Sequence, residues 1–154
     1  MSRRKPEPDA LSIEPATVDT IDAVHALECQ CFPAPWRREF FESELTASGR
    51  LNLVARRGEP VIGYLFAMWF FDEMHINKIA VVERERRHGV ALALMQDCMA
   101  FARERGIKVL SLEVRQSNQG AQEFYRRLEF AAAYLRPRYY PDGESAVVMS
   151  KSLE

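Results

Sequence analysis

The sequence predicts an α+β fold, a central, mostly antiparallel mixed sheet of about seven strands flanked by about four helices. Three observations carry that expectation. Short apolar or alternating runs, bounded by turn residues, recur along the chain as strands do. Other segments repeat apolar residues at helical spacing. Their order, β-α-α-β-β-β-α-β-α-β-β, mixes hairpin-length connections with two helical crossovers, as a mixed sheet requires.

Each element has a local reason. Leu11 to Glu14 reads as a short strand. Asp19 to Cys29 spaces Ile21, Val24 and Leu27 along one helical face, and Pro33-Ala34-Pro35 breaks the chain after it. Trp36 to Leu45 reads as a second helix with Trp36, Phe40, Phe41 and Leu45 on one side. Leu51 to Ala55 alternates as a strand, and Arg57-Gly58-Glu59-Pro60 turns the chain into a long strand, Val61 to Phe71. A further strand covers about Glu73 to Val82. The third helix, Val90 to Arg105, ends at Gly106, a residue suited to the left-handed position after a helix. Lys108 to Arg115 is strand. Ser117-Asn118 caps a helix from Gln119 to about Leu128. Ala132 to Tyr139 and Ser145 to Ser150 close the chain as strands.

Bulk properties narrow the function. At 154 residues, a single domain over residues 10–154 is expected, and the composition is that of a folded protein. Residues 1–9 pair a basic start with Pro6-Glu7-Pro8-Asp9 where a signal peptide needs an apolar core, so they are expected to form a disordered tail. A net charge of −1 gives no global attraction to nucleic acid or membranes, and neither is expected as a partner. The apolar run Val61 to Phe71 is too short to span a bilayer. Three cysteines, an odd number, speak for a reducing cytoplasm. Cys29 and Cys31 lack a second ligand pair at matching spacing, so no metal is expected. Cys98 falls on an apolar stripe with Leu94 and Phe101 and is expected in the core; His25 and His75 are expected to be structural or exposed.

The stretch with the most chemistry is Arg86-Arg87-His88-Gly89-Val90-Ala91, between the apolar run Ile79 to Val82 and the third helix. A strand that turns through a basic, Gly-containing loop into a helix leaves backbone N–H groups unpaired, and these favour an anion such as a pyrophosphate. Arg84, Arg86 and Arg87 add positive charge. The alternative is a solvated basic turn.

The turn and the order of elements resemble the GNAT acetyltransferase superfamily and its signature Gln/Arg-x-x-Gly-x-Gly/Ala. Four more segments resemble its RimI-type group, the ribosomal-protein-alanine N-acetyltransferases: Phe32 to Trp36, Asn77 to Val81, Leu112 to Asn118, and Arg138 to Gly143 with Ala146 and Met149. The resemblance implies the GNAT fold and acetyl-CoA as cosubstrate. It implies that the backbone of Ile79, Ala80 and Val81 pairs with the pantetheine arm. Arg87, His88, Gly89, Val90, Ala91 and Leu92 would hold the pyrophosphate, and Asn118 would contact the cofactor. It makes Glu113 the general base and Tyr125 the general acid, with Tyr139 and Tyr140 lining the site for a peptide N-terminus. Ala91 replaces the commoner second Gly. Glu129 stands where a Gly normally takes positive φ after the helix, so either a strain of about 1 kcal/mol is borne there or the helix ends differently.

The chemistry suits these residue types. A protein α-amine titrates near ~8 and a lysine amine near ~10.4, so a carboxylate base is adequate for the first and poor for the second. Glu113 points away from the face shared by Leu112 and Val114; a surface carboxylate paired with Arg115 or Lys108 is its alternative reading. A phenol is a weaker acid than a thiol by roughly 2 kcal/mol, so Tyr125 is expected to hydrogen-bond the developing thiolate; the alternative is a core tyrosine. Tyr139 and Tyr140 are otherwise packing aromatics, and Trp36 a loop anchor. The expected function is a cytoplasmic, acetyl-CoA-dependent N-acetyltransferase acting directly on a protein N-terminal α-amine. The resemblance points to the N-terminal alanine of a small-subunit ribosomal protein, and a monomer or weak dimer is expected. Transfer to a small-molecule amine and acyl-CoA binding without turnover are the alternatives.

Overall fold

A computed structural model describes residues 10–154; the tail expected over residues 1–9 lies outside them. The elements are β1 (Leu11–Pro15), a 3₁₀ turn (Val18–Thr20), α1 (Ile21–Cys31), α2 (Arg38–Thr46), β2 (Arg50–Arg57), β3 (Val61–Phe70) and β4 (Glu73–Val81). A second 3₁₀ turn (Glu83–Glu85), α3 (Val90–Glu104), β5 (Val109–Arg115), α4 (Gln119–Arg127), β6 (Ala131–Arg136) and β7 (Ala146–Ser152) follow. The strands form one seven-stranded sheet in the order β1-β2-β3-β4-β5-β7-β6, so the fold is the expected α+β mixed sheet with four helices. No helix among the described residues is long and apolar enough to cross a membrane.

The chain groups into two compact units, the first comprising the described residues through Phe66 together with Lys78–Cys98. There β1 pairs antiparallel with β2 from Leu11↔Arg57 to Pro15↔Leu53. Thr17 N–H donates to Thr20 Oγ1 (2.9 Å) and the Thr20 hydroxyl donates to Thr17 O (2.8 Å), a reciprocal pair that starts α1 after Thr20. α1 buries Ile21, Val24 and Leu27, spaced to one helical face, and with them the carboxylate of Glu28. Phe41 of α2 is fully buried with its ring edge-on to Tyr64 and Phe66 of β3, at 5.8 and 5.1 Å between centroids. Phe40 turns outward and is half exposed, so the predicted one-sided face of this helix is narrower than its sequence implies. A Cβ at Gly63 would stand 2.9 Å from Ala80 O and 3.3 Å from Val90 Cγ1, so only glycine lets β3 lie this close to β4 and α3.

The second unit comprises Ala67–Asn77 and Met99–Glu154. β5 pairs antiparallel with β7 along its whole length, from Val109↔Ser152 to Arg115↔Ala146, and β6 adds to β7 with a bulge between Ala132 and Tyr134. β4 pairs parallel with β5 from Glu73↔Val109 to Ile76↔Leu112. Asn118 Oδ1 accepts from Ala121 N–H (3.1 Å), the predicted cap of α4. Glu129 takes φ +70°, so α4 ends in the left-handed conformation that a Gly usually supplies. Lys151 Nζ supports that ending, donating to Leu128 O (2.8 Å) and lying 3.2 Å from Glu129 Oε2. β6 is shorter than the expected run to Tyr139. Arg138 has φ +51°, and the turn closed by Gly143 N–H to Tyr140 O (2.9 Å) takes over, so Tyr139 and Tyr140 belong to the β6–β7 connection.

Candidate active site

In the first unit, β4 beyond Ile76 leads into the basic turn. The paired stretch of β4 and β5 runs from Glu73↔Val109 to Ile76↔Leu112, and Ile79, Ala80 and Val81 follow it in the chain. In the turn, Arg87 (φ +67°) and Gly89 (φ +81°) are both left-handed. The first helical bond of α3 is Ala93 N–H to Gly89 O (3.0 Å), so the N–H groups of Val90, Ala91 and Leu92 precede it without an intrahelical acceptor. A Cβ built on Gly89 would meet nothing within 4 Å, so the space beside the turn is open there. Arg86 Nε donates to Val81 O at 3.2 Å, Arg84 and Arg87 form no ion pair with any described residue, and all three lie exposed. This is a backbone cradle suited to a diphosphate.

The same unit contains a cluster the sequence did not disclose. Glu28 is completely buried; it accepts from Trp36 N–H (2.9 Å) and from the Tyr64 hydroxyl, and Lys78 Nζ lies 3.0 Å away. Lys78 also stands over the rings of Phe32 (3.7 Å) and Trp36 (5.0 Å). Burial, then the hydrogen bond to Glu28, push the Tyr64 phenol far above its ordinary value. The cluster pins the Phe32 to Trp36 loop, and Trp36 is the anchor expected of it, packed 4.5 Å from Phe40 and 5.3 Å from Phe41. Partners 8, 36 and 50 residues from Glu28 left no local signal in the sequence; only its place among the buried positions of an amphipathic helix marked it.

In the second unit, Leu112 and Val114 are buried and Glu113 projects from the opposite face of β5, its side chain 10% exposed. Neither expected partner holds it. Arg115 pairs with Asp142 (2.8 Å) and Glu144 (2.9 Å), and Lys108 lies 3.7 Å from Glu154. Instead, His75 Nε2 is 2.6 Å from Glu113 Oε2, and Arg136 Nε is 3.8 Å from Oε1. His75, expected to be structural or exposed, is therefore part of this cluster, brought there by the parallel register His75↔Ser111. Tyr139 and Tyr140 stack edge-on at 5.1 Å, with the guanidinium of Arg136 5.5 Å from the Tyr139 ring and that of Arg115 4.1 Å from the Tyr140 ring. Burial pushes the Tyr140 phenol up to about 12.

Tyr125 of α4 is buried, with its ring against Phe124 and Phe130 at 5.1 and 5.7 Å. Its hydroxyl hydrogen-bonds no described residue, and burial raises its pKa well above the phenol value. A phenol in that state stays protonated and has its hydrogen bond to give. Asn118 is exposed, and with Oδ1 used in the cap its amide hydrogens remain as donors. Among the described residues no three or more His, Cys, Asp or Glu gather as a metal site would require.

Residues 21–130 match the model of the acetyltransferase (GNAT) family. The chain belongs to the GNAT family. It is an N-acetyltransferase enzyme, and its fold is the GNAT fold. It is 30% identical over 140 residues to the ribosomal protein bS18-alanine N-acetyltransferase of Escherichia coli K12, covering 88% of this chain and 94% of that one. The crystal structure of the ribosomal-protein-S18-alanine N-acetyltransferase from Escherichia coli superposes with a TM-score of 0.88 at 28% identity, covering 94% and 95% of the two chains. The acetyl-CoA complex of Arabidopsis thaliana NAA60 shares the fold, with a TM-score of 0.85 at 17% identity over 93% of this GNAT chain and 99% of that one. GNAT acetyltransferases use acetyl-CoA as the acetyl donor.

Proposed function

We propose that this enzyme, acting as one domain over residues 10–154, transfers an acetyl group from acetyl-CoA directly to the N-terminal α-amine of a protein. The favoured acceptor is the N-terminal alanine of a small-subunit ribosomal protein. The single observation that carries the chemistry is Glu113, a largely buried carboxylate projecting from the polar face of β5. Similarity to the bS18-alanine acetyltransferases supports the acceptor.

Acetyl-CoA supplies an activated thioester, and in the net reaction a C–N bond forms as the C–S bond breaks. Ile79, Ala80 and Val81 of β4 offer backbone groups to the pantetheine amides. Arg87, His88, Gly89, Val90, Ala91 and Leu92 offer N–H groups and charge to the pyrophosphate, and Asn118 offers its amide hydrogens. Glu113 takes the proton that the α-ammonium must lose. Tyr125 donates its hydrogen bond to the charge developing on sulfur without releasing the proton, because burial makes the phenol a still weaker acid. Tyr139 and Tyr140 flank the peptide N-terminus. Residue composition and the reducing chemistry of three free thiols favour the cytoplasm.

Thiol release from acetyl-CoA in the presence of peptides with different first residues tests this. An Ala-starting peptide should be turned over, and Glu113→Gln and Tyr125→Phe should each lose about 10²-fold or more in kcat. Turnover of polyamines or aminoglycosides with silence on every peptide would move the acceptor to a small molecule.

A further inference from the structure

We propose that His75 is a positioning residue for Glu113, fixing one carboxylate oxygen so that the other meets the acceptor amine. The inference rests on the reading of Glu113 as the base.

The register makes the arrangement. Ser111 lies opposite His75 on the parallel pair, and Glu113 is two residues on, so both project on the face that His75 occupies. Nε2 lies 2.6 Å from Glu113 Oε2, and Nδ1 lies 2.9 Å from Ser111 Oγ. Two lone pairs repel at 2.6 Å, so a proton lies on the Nε2–Oε2 line and Nε2–H donates. With Nε2 carrying the hydrogen, Nδ1 accepts from the Ser111 hydroxyl, and the two bonds hold the ring in one orientation.

The other groups facing this pair are Arg136 of β6, 3.8 Å from Oε1, and the neutral phenols Tyr139 and Tyr140 of the β6–β7 connection.

Two measurements decide it. His75→Gln keeps an N–H donor for Oε2 and should hold kcat within about threefold of wild type, whereas His75→Ala frees the carboxylate and should lose about tenfold or more in kcat with the KM for acetyl-CoA unchanged. A kcat unchanged in His75→Ala, or lost equally in both variants, overturns the proposal. The second measurement needs no turnover. In urea denaturation the losses of His75→Ala and Glu113→Gln should be non-additive, the double variant losing less than their sum. Strictly additive losses overturn the pairing, whatever the enzyme acetylates. A wild type that acetylates no α-amine overturns the function proposed above and with it the catalytic consequence of the pair.

Discussion

Tyr125 shows how one environment can select among roles. Its ring packs between Phe124 and Phe130, and its hydroxyl has no hydrogen-bond partner among the described residues. Tyr125→Phe keeps the packing, so urea denaturation should report stability within about 0.5 kcal/mol of wild type while kcat falls about 10²-fold. Because burial raises the phenol's pKa, the wild type should show no alkaline loss from its ionisation up to pH ~10, which a kcat profile checks. Lys78 is the opposite case, a charge whose work is structural. Lys78→Met leaves the Glu28 carboxylate buried with one cation fewer, and it should cost about 3 kcal/mol by denaturation. A loss below about 1 kcal/mol would mean that the Trp36 N–H and the Tyr64 hydroxyl satisfy Glu28 by themselves.

Between residues and fold lie two left-handed positions with opposite consequences. At Gly89 the conformation is needed and the space above it is open, so Gly89→Ala should cost only about 1 kcal/mol in stability. The change also disturbs the left-handed backbone of the turn, and the KM for acetyl-CoA should rise about tenfold with kcat little changed. At Glu129 the same conformation is borne by a non-glycine residue, compensated by Lys151. That pair is exposed on the glutamate side and adds little, so Glu129→Gly should stabilise α4's end by up to about 1 kcal/mol in the same assay. The sequence marked Glu129 as a departure because helix ends follow local rules. It could not say whether the helix would shift or the strain would be carried, since Lys151 approaches from β7, 22 residues along the chain.

Over the whole molecule, the order of strands and helices was legible because periodicity and turn residues are local. The alternation Leu112-Glu113-Val114 likewise aimed Glu113 away from the core before any coordinates. What faced Glu113 was not legible, because a parallel register across a helical crossover decides it and His75 stands 38 residues away. Acid stability also belongs to this scale. Hydrogen bonds from Ser117 and from Arg115 hold the Glu144 carboxyl down to about 2, and Asp142 is lowered by Glu144 N–H and Arg115. Both carboxyls are depressed in the folded state; the contribution of Glu144 is present above its unfolded value near ~4.3 and is lost as pH falls towards about 2, and that of Asp142 has the same sign. Urea midpoints should decline across that window, and less steeply in Glu144→Gln. The cage around Lys78 also bears on how the protein can be labelled. The Lys78 side chain is only 15% exposed and that of Lys151 9%, whereas that of Lys108 is 58% exposed. An acylating dye will therefore mark Lys108 long before the amine that stands next to Ile79, so a fluorophore can be attached to the folded protein without touching that strand.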